Sequence, residues 1–113
     1  MTKSYKEIAQ ASSGAIAKLR KDIPEVMSGF SALGQAATKE GALNKKTKEL
    51  IAIALAVAAR CDGCIGLHMQ SLIKMGATRA ELLETLGMAI YMGGGPSTVY
   101  AADALSAFDE LST

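Results

Sequence analysis

Both cysteines and the single histidine of the chain fall in one short stretch, Cys61-x-x-Cys64-x-x-x-His68. A thiolate, not a thiol, attacks peroxides and disulfides, and a free cysteine with a pKa of about 8.5 is mostly protonated at neutral pH. On a helix, His68 stands one turn beyond Cys64 on the same face, and Cys61 is about two turns from the histidine, so two sulfurs and an imidazole share a small space. An imidazole one turn away accepts the thiol proton or stabilises the thiolate as imidazolium, and a helix N-terminus directs unpaired N–H groups at a sulfur placed there. A second cysteine in reach captures a sulfenic acid as a disulfide before further oxidation. Glu49, at the start of the preceding apolar stretch, offers a carboxylate to orient and charge His68. Spacing alone equally allows Glu49 to be a solvated member of the charged segment from Lys45.

The same donors admit a metal reading. Cys61, Cys64 and His68 are zinc-ligand types, with Glu49 or Asp62 available as a fourth, but structural zinc sites draw four Cys/His ligands from separated segments and the chain has three in total. A c-type haem needs histidine directly after the second cysteine, where Ile65 stands. No bound cofactor is expected. Gly93-Gly94-Gly95-Pro96 reads as a turn, since no P-loop lysine and hydroxyl accompany it to cradle a phosphate. Tyr91 and Tyr100 are candidates to line a pocket near the sulfurs, and a pocket of Ala, Leu, Met and Tyr would favour an alkyl peroxide.

Six helices are expected to position these groups. Tyr5, Ile8, Ala9, Ser12, Ile16 and Leu19 recur at helical spacing, predicting a first helix from about Thr2 to Lys21 with Ser12-Ser13-Gly14 as its weak point. Pro24 opens a second, striped by Val26, Met27, Phe30, Leu33 and Ala37 and ended by the Thr38 to Gly41 segment. Asn44 caps a third, through about Ala59, whose Leu50, Ile51, Ile53, Leu55 and Val57 leave almost no polar face. A helix of that kind must be enclosed, and a small domain has little room to do so, which points to cover from another subunit. The fourth runs from Asp62 or Cys64 to Met75, with Gly76 as its C-terminal cap. Thr78-x-x-Glu81 is a capping box for the fifth, with Leu82, Leu86, Ala89 and Ile90 on one face, and Tyr100, Ala104, Phe108 and Leu111 mark the last.

Bulk composition agrees. Half of the 113 residues are hydrophobic but only 4% are aromatic, so closely packed helices are favoured over a sheet and residues 1–113 read as one all-α domain. A formal net charge of +1 supplies no field for a polyanion, so no nucleic acid partner is expected. The polar N-terminus lacks the apolar core of a secretion signal, giving a cytoplasmic expectation. The apolar run from Leu50 to Ala59 is about half the length a membrane-spanning helix needs, so no membrane association is expected either.

Glu49, eleven residues, Cys61, two residues, Cys64, three residues, His68 resembles the signature of the alkylhydroperoxidase D-like branch of the carboxymuconolactone decarboxylase family. The Ala-rich segment before it and the Gly93 to Pro96 turn extend the resemblance over about Asn44 to Leu105. The resemblance implies an all-helical fold, assembly into homo-trimers or homo-hexamers, and hydroperoxide reduction. By position, Cys64 would become the sulfenic acid, Cys61 would donate a proton and then close the disulfide, and His68 with Glu49 would relay the Cys64 proton. An external dithiol, of the thioredoxin or lipoyl type, would restore the thiols. One departure stands out: peroxidases of this type resemble the chain but carry a second histidine just before the second cysteine, where Gly63 is found. The decarboxylase members that name the family do not resemble this cysteine pattern. A protein disulfide reductase or a redox-sensing module remains the other reading of the pair.

Overall fold

The computed structural model describes residues 2–113, and among them all regular structure is helical. The order is α1 (Tyr5–Asp22), α2 (Pro24–Ala37), α3 (Lys45–Ala58), α4 (Asp62–Lys74), α5 (Arg79–Gly93) and α6 (Gly95–Leu111). The all-α, six-helix expectation is the observed architecture. Capping chemistry sets the boundaries: Ser4 accepts from the Glu7 N–H, Asn44 from the Thr47 N–H, and Thr78 and Glu81 form the reciprocal capping box. Because Ser4 takes the cap, α1 starts at Tyr5 and not at Thr2, and it passes unbroken through Ser12-Ser13-Gly14. The glycine run contracts to a one-residue joint at Gly94, whose φ of +72° is open to a residue without a Cβ.

Ile53, Val57, Ile65, Met69, Leu72 and Leu82 are fully buried where α3, α4, α5 and α6 meet. Helix α1 lies across α4 and α6. It comes close because α4 presents Gly66: a Cβ there would stand 3.2 Å from the Tyr5 carbonyl oxygen and 3.3 Å from the Ala9 Cβ. Polar contacts secure the same crossing. The buried Tyr5 hydroxyl donates to Asp62 Oδ1 at 2.7 Å, Lys3 bridges Asp62 and Asp103 at 3.2 and 3.0 Å, and the Ser4 hydroxyl and Tyr5 N–H both donate to Glu110. Burial and then the bond to Asp62 push the Tyr5 phenol pKa upward, so it stays a donor.

Within this chain helix α3 is covered only in part: it buries Glu49, Ile53, Ala56 and Val57, while Ile51 and Leu55 are 43% and 64% exposed. Its neighbours in this chain are α4, α5 and α6. Helix α2 buries no residue, and Val26, Phe30 and Leu33 are each more than 60% exposed, because α2 packs on α1 alone. No helix among the described residues is long and apolar enough to cross a membrane.

The α1–α4 crossing can be tested with two glycines in opposite situations. Gly66→Val should lower stability by about 1–3 kcal/mol through overpacking against the α1 backbone. Gly14→Ala, at an exposed helical position where the added carbon meets nothing beyond its own helix backbone and chain neighbours within 4 Å, should raise it by about 0.5–1 kcal/mol. Urea unfolding midpoints would show both, and a tolerated Gly66→Val would contradict the close crossing.

Candidate functional site

The joint between α3 and α4 brings Glu49, Cys61, Cys64 and His68 together. Ala59 ends α3, Arg60 takes a left-handed φ of +57°, and the N–H groups of Arg60 and Cys61 donate back to the carbonyls of Val57 and Ala56 at 3.1 and 3.0 Å. A non-glycine residue in that conformation costs on the order of 1 kcal/mol. The tight reversal lets α4 start at once beside α3. Cys61 is the N-cap of α4, with its Sγ accepting from the Cys64 N–H at 3.2 Å. The two cysteines are joined as a disulfide, with Cα atoms 5.2 Å apart.

Glu49 in the first turns of α3 and His68 on α4 meet across the reversal. Glu49 Oε1 lies 2.5 Å from His68 Nδ1. The carboxylate is 5% exposed, so the buried negative charge must find its compensation in the protein, and the imidazole supplies it. In return, the hydrogen bond and then the charge of Glu49 raise the His68 pKa above its ordinary 6.5, against the opposing effect of burial. With Nδ1 held, Nε2 is the nitrogen left to exchange a proton with a neighbour.

Cys61, Cys64 and His68 line one cavity of about 410 Å³, walled by apolar side chains that include Ile16, Leu67 and Phe30. The two tyrosines that were candidates for it are elsewhere: Tyr91 on α5 is 80% exposed, and Tyr100 on α6 lies beneath the Lys3 ammonium, 4.8 Å from its ring centre. The cavity opens between α1, α2 and α4, so its aromatic rim is Phe30. Asp62, a candidate fourth zinc ligand by sequence, is instead engaged by Tyr5 and Lys3. In the disulfide state neither sulfur is a thiolate donor.

Four residues that the sequence did not single out belong to this region. Tyr5 and Lys3 hold Asp62, the first helical residue between the cysteines. Phe30 reaches the cavity from α2, and Ser12 from α1 sits against Gly63, where an added Cβ would be 2.7 Å from the serine Oγ. The helical stripes containing Tyr5, Ser12 and Phe30 were visible as patterns. The small side chain at position 63 was the signal that another helix comes near.

The fold is shared with known structures. A carboxymuconolactone decarboxylase family protein from Legionella pneumophila, solved in its apo form, is 64% identical, with a TM-score of 0.94 over 96% of this chain and 97% of that one. A family member from Thermotoga maritima, for which a role in the antioxidative response has been suggested, is 28% identical, with a TM-score of 0.79 over 93% and 89% of the two chains. An uncharacterised protein of Cupriavidus necator is 47% identical over 88 residues, covering 78% of each sequence. The family model for carboxymuconolactone decarboxylases matches residues 24–107, a span that holds Glu49, both cysteines and His68. On this match and these relatives, the chain belongs to the carboxymuconolactone decarboxylase family.

Proposed function

We propose that the protein is a thiol-dependent hydroperoxide reductase of the alkylhydroperoxidase D-like branch, cycling Cys61 and Cys64 between dithiol and disulfide. The observation that carries this reading is a Cys61–Cys64 disulfide beside a histidine that a buried glutamate keeps basic. In the reduced protein, His68 takes the Cys64 proton, and the resulting imidazolium between Glu49 and the sulfur favours the thiolate. The thiolate attacks the outer oxygen of the hydroperoxide, the O–O bond breaks, and Cys64 becomes a sulfenic acid while alkoxide leaves and is protonated. The Cys61 sulfur then displaces hydroxide from Cys64, giving the disulfide and water. An external dithiol of the thioredoxin or lipoyl type returns both thiols, and no bound cofactor takes part.

The N-cap contact supports a direction for that last step. With the Cys64 N–H aimed at Cys61 Sγ, Cys61 is the sulfur that leaves with its negative charge stabilised, so the incoming thiolate attacks Cys64. The same contact favours a second reading, protein disulfide exchange led by Cys61. Assembly as a homo-trimer or homo-hexamer belongs to the proposal too, supported by exposed Leu55, Met88 and Met92 on α3 and α5.

Single-cysteine variants separate the two readings. Cys64→Ser should reduce consumption of tert-butyl hydroperoxide to the uncatalysed rate, whereas Cys61→Ser should react once and hold a sulfenic acid that dimedone labels. Peroxide turnover surviving in Cys64→Ser would remove Cys64 from the attacking role.

The pH dependence follows from the raised His68 pKa. A histidine whose folded pKa lies above its unfolded value of about 6.5 adds stability that is fully present below that value and is lost as pH rises through the folded pKa. Proton NMR of the single histidine should therefore titrate above 6.5 in the wild type and fall in Glu49→Gln. An unchanged titration in that variant would show that Glu49 does not charge the ring.

A further inference from the structure

Among the described residues, Ser12 is the only hydroxyl-bearing side chain lining the cavity that contains Cys61, Cys64 and His68. It lies in the middle of α1, where a serine ordinarily turns its hydroxyl back to the carbonyl four residues earlier. Ser71 and Thr85 do this in α4 and α5. The Ser12 hydroxyl makes no such bond among the described residues. It points across the helix crossing to Gly63, where a built Cβ would lie 2.7 Å from its Oγ and 3.5 Å from its Cβ. Position 63 directly precedes Cys64, and the glycine leaves room for a hydroxyl delivered by another helix to the wall of the cavity that Cys64 also lines.

The remaining walls sharpen the point. Apart from the sulfurs and His68, the other lining groups are Ala15, Ile16, Phe30 and Leu67 together with Gly63, none of which carries a side-chain donor. The proposed reaction develops negative charge at two atoms, the sulfur at the start and the departing oxygen at the end. His68 answers the first. Stabilising the second needs a donor on the cavity wall, since pre-positioned donors act most strongly where water is partly excluded.

We propose that Ser12 is a catalytic residue of the peroxide step, donating its O–H hydrogen bond to the oxygen that leaves as Cys64 is oxidised. This rests on the peroxidase reading above. In the step, the Cys64 thiolate forms an S–O bond, the O–O bond breaks, and its electron pair stays on the departing alkoxide. Ser12 lends a hydrogen bond to that alkoxide and is not the net proton source, because imidazolium is a far stronger acid than an aliphatic hydroxyl. The proton that completes the alcohol comes from imidazolium or solvent, and Ser12 ends the step unchanged.

The test compares two reactions of the same sulfur, one with an oxygen leaving group and one without. Stopped-flow oxidation by tert-butyl hydroperoxide and alkylation by iodoacetamide are measured on reduced wild type, Ser12→Ala and the double variant Ser12→Ala/Gly63→Ser. Loss of one hydrogen bond to a charged oxygen should slow peroxide oxidation about 10-fold or more in Ser12→Ala. Alkylation and its pH profile should stay within about twofold, because the thiolate itself is untouched. Returning a hydroxyl from α4 in the double variant should recover much of the lost peroxide rate. An undiminished peroxide rate in Ser12→Ala overturns the inference alone. So does a parallel fall in both reactions, which would mean that Ser12 supports the sulfur or the helix packing. Wild-type protein that alkylates normally yet ignores the peroxide overturns the peroxidase reading and the inference with it.

Discussion

A carboxylate buried between helices is tolerated only when something nearby carries the opposite charge, and Glu49 has His68. Much of the local architecture follows from meeting that requirement. Glu49 lies near the start of α3 and His68 in the second turn of α4, so the two meet only if the chain doubles back within the few residues after Ala58. Arg60 accepts a left-handed conformation to make that possible. The reversal leaves Cys61 at the helix cap and Cys64 one turn before the histidine. One electrostatic pair therefore ties the geometry of the joint to the chemistry of the sulfurs.

A second constraint is the space that glycine leaves on α4. Gly63 and Gly66 face α1, which settles against them with Ser12 and with Tyr5 and Ala9 respectively. The Tyr5 hydroxyl and the Lys3 ammonium then engage Asp62, the residue after the N-cap cysteine. Asp62 would otherwise place a free carboxylate close to two sulfurs, one of which the proposed cycle turns into a thiolate. Its engagement limits that repulsion and fastens the first turn of α4. Helix α2 is bound less firmly, through α1 alone, yet contributes Phe30 to the mouth of the cavity.

The parts legible in the sequence were those set by local physics. Helical periodicity, the Thr78 and Glu81 capping box and the Asn44 cap each depend on residues within a turn of one another, and so does the shared face of Cys64 and His68. The Glu49 contact with His68 was one of two readings, because it depends on a reversal at Arg60 that no glycine advertises. The cover over α3 was less legible for a related reason: a one-dimensional apolar pattern does not say on how many sides neighbours stand, and within this chain Ile51 and Leu55 stay 43% and 64% exposed. Ser12 counted as one position in a stripe. Its aim toward Gly63 became visible only when α1 and α4 were placed side by side.

The central claim is that these two sulfurs exchange electrons with a peroxide. It is tested most directly by the intact mass of the fully reduced, metal-free protein before and after one equivalent of tert-butyl hydroperoxide, with peroxide loss followed in parallel. The account predicts rapid loss of two hydrogens per chain, matched to the peroxide consumed and reversed by a dithiol. A dithiol form whose mass does not change while the peroxide persists would contradict it.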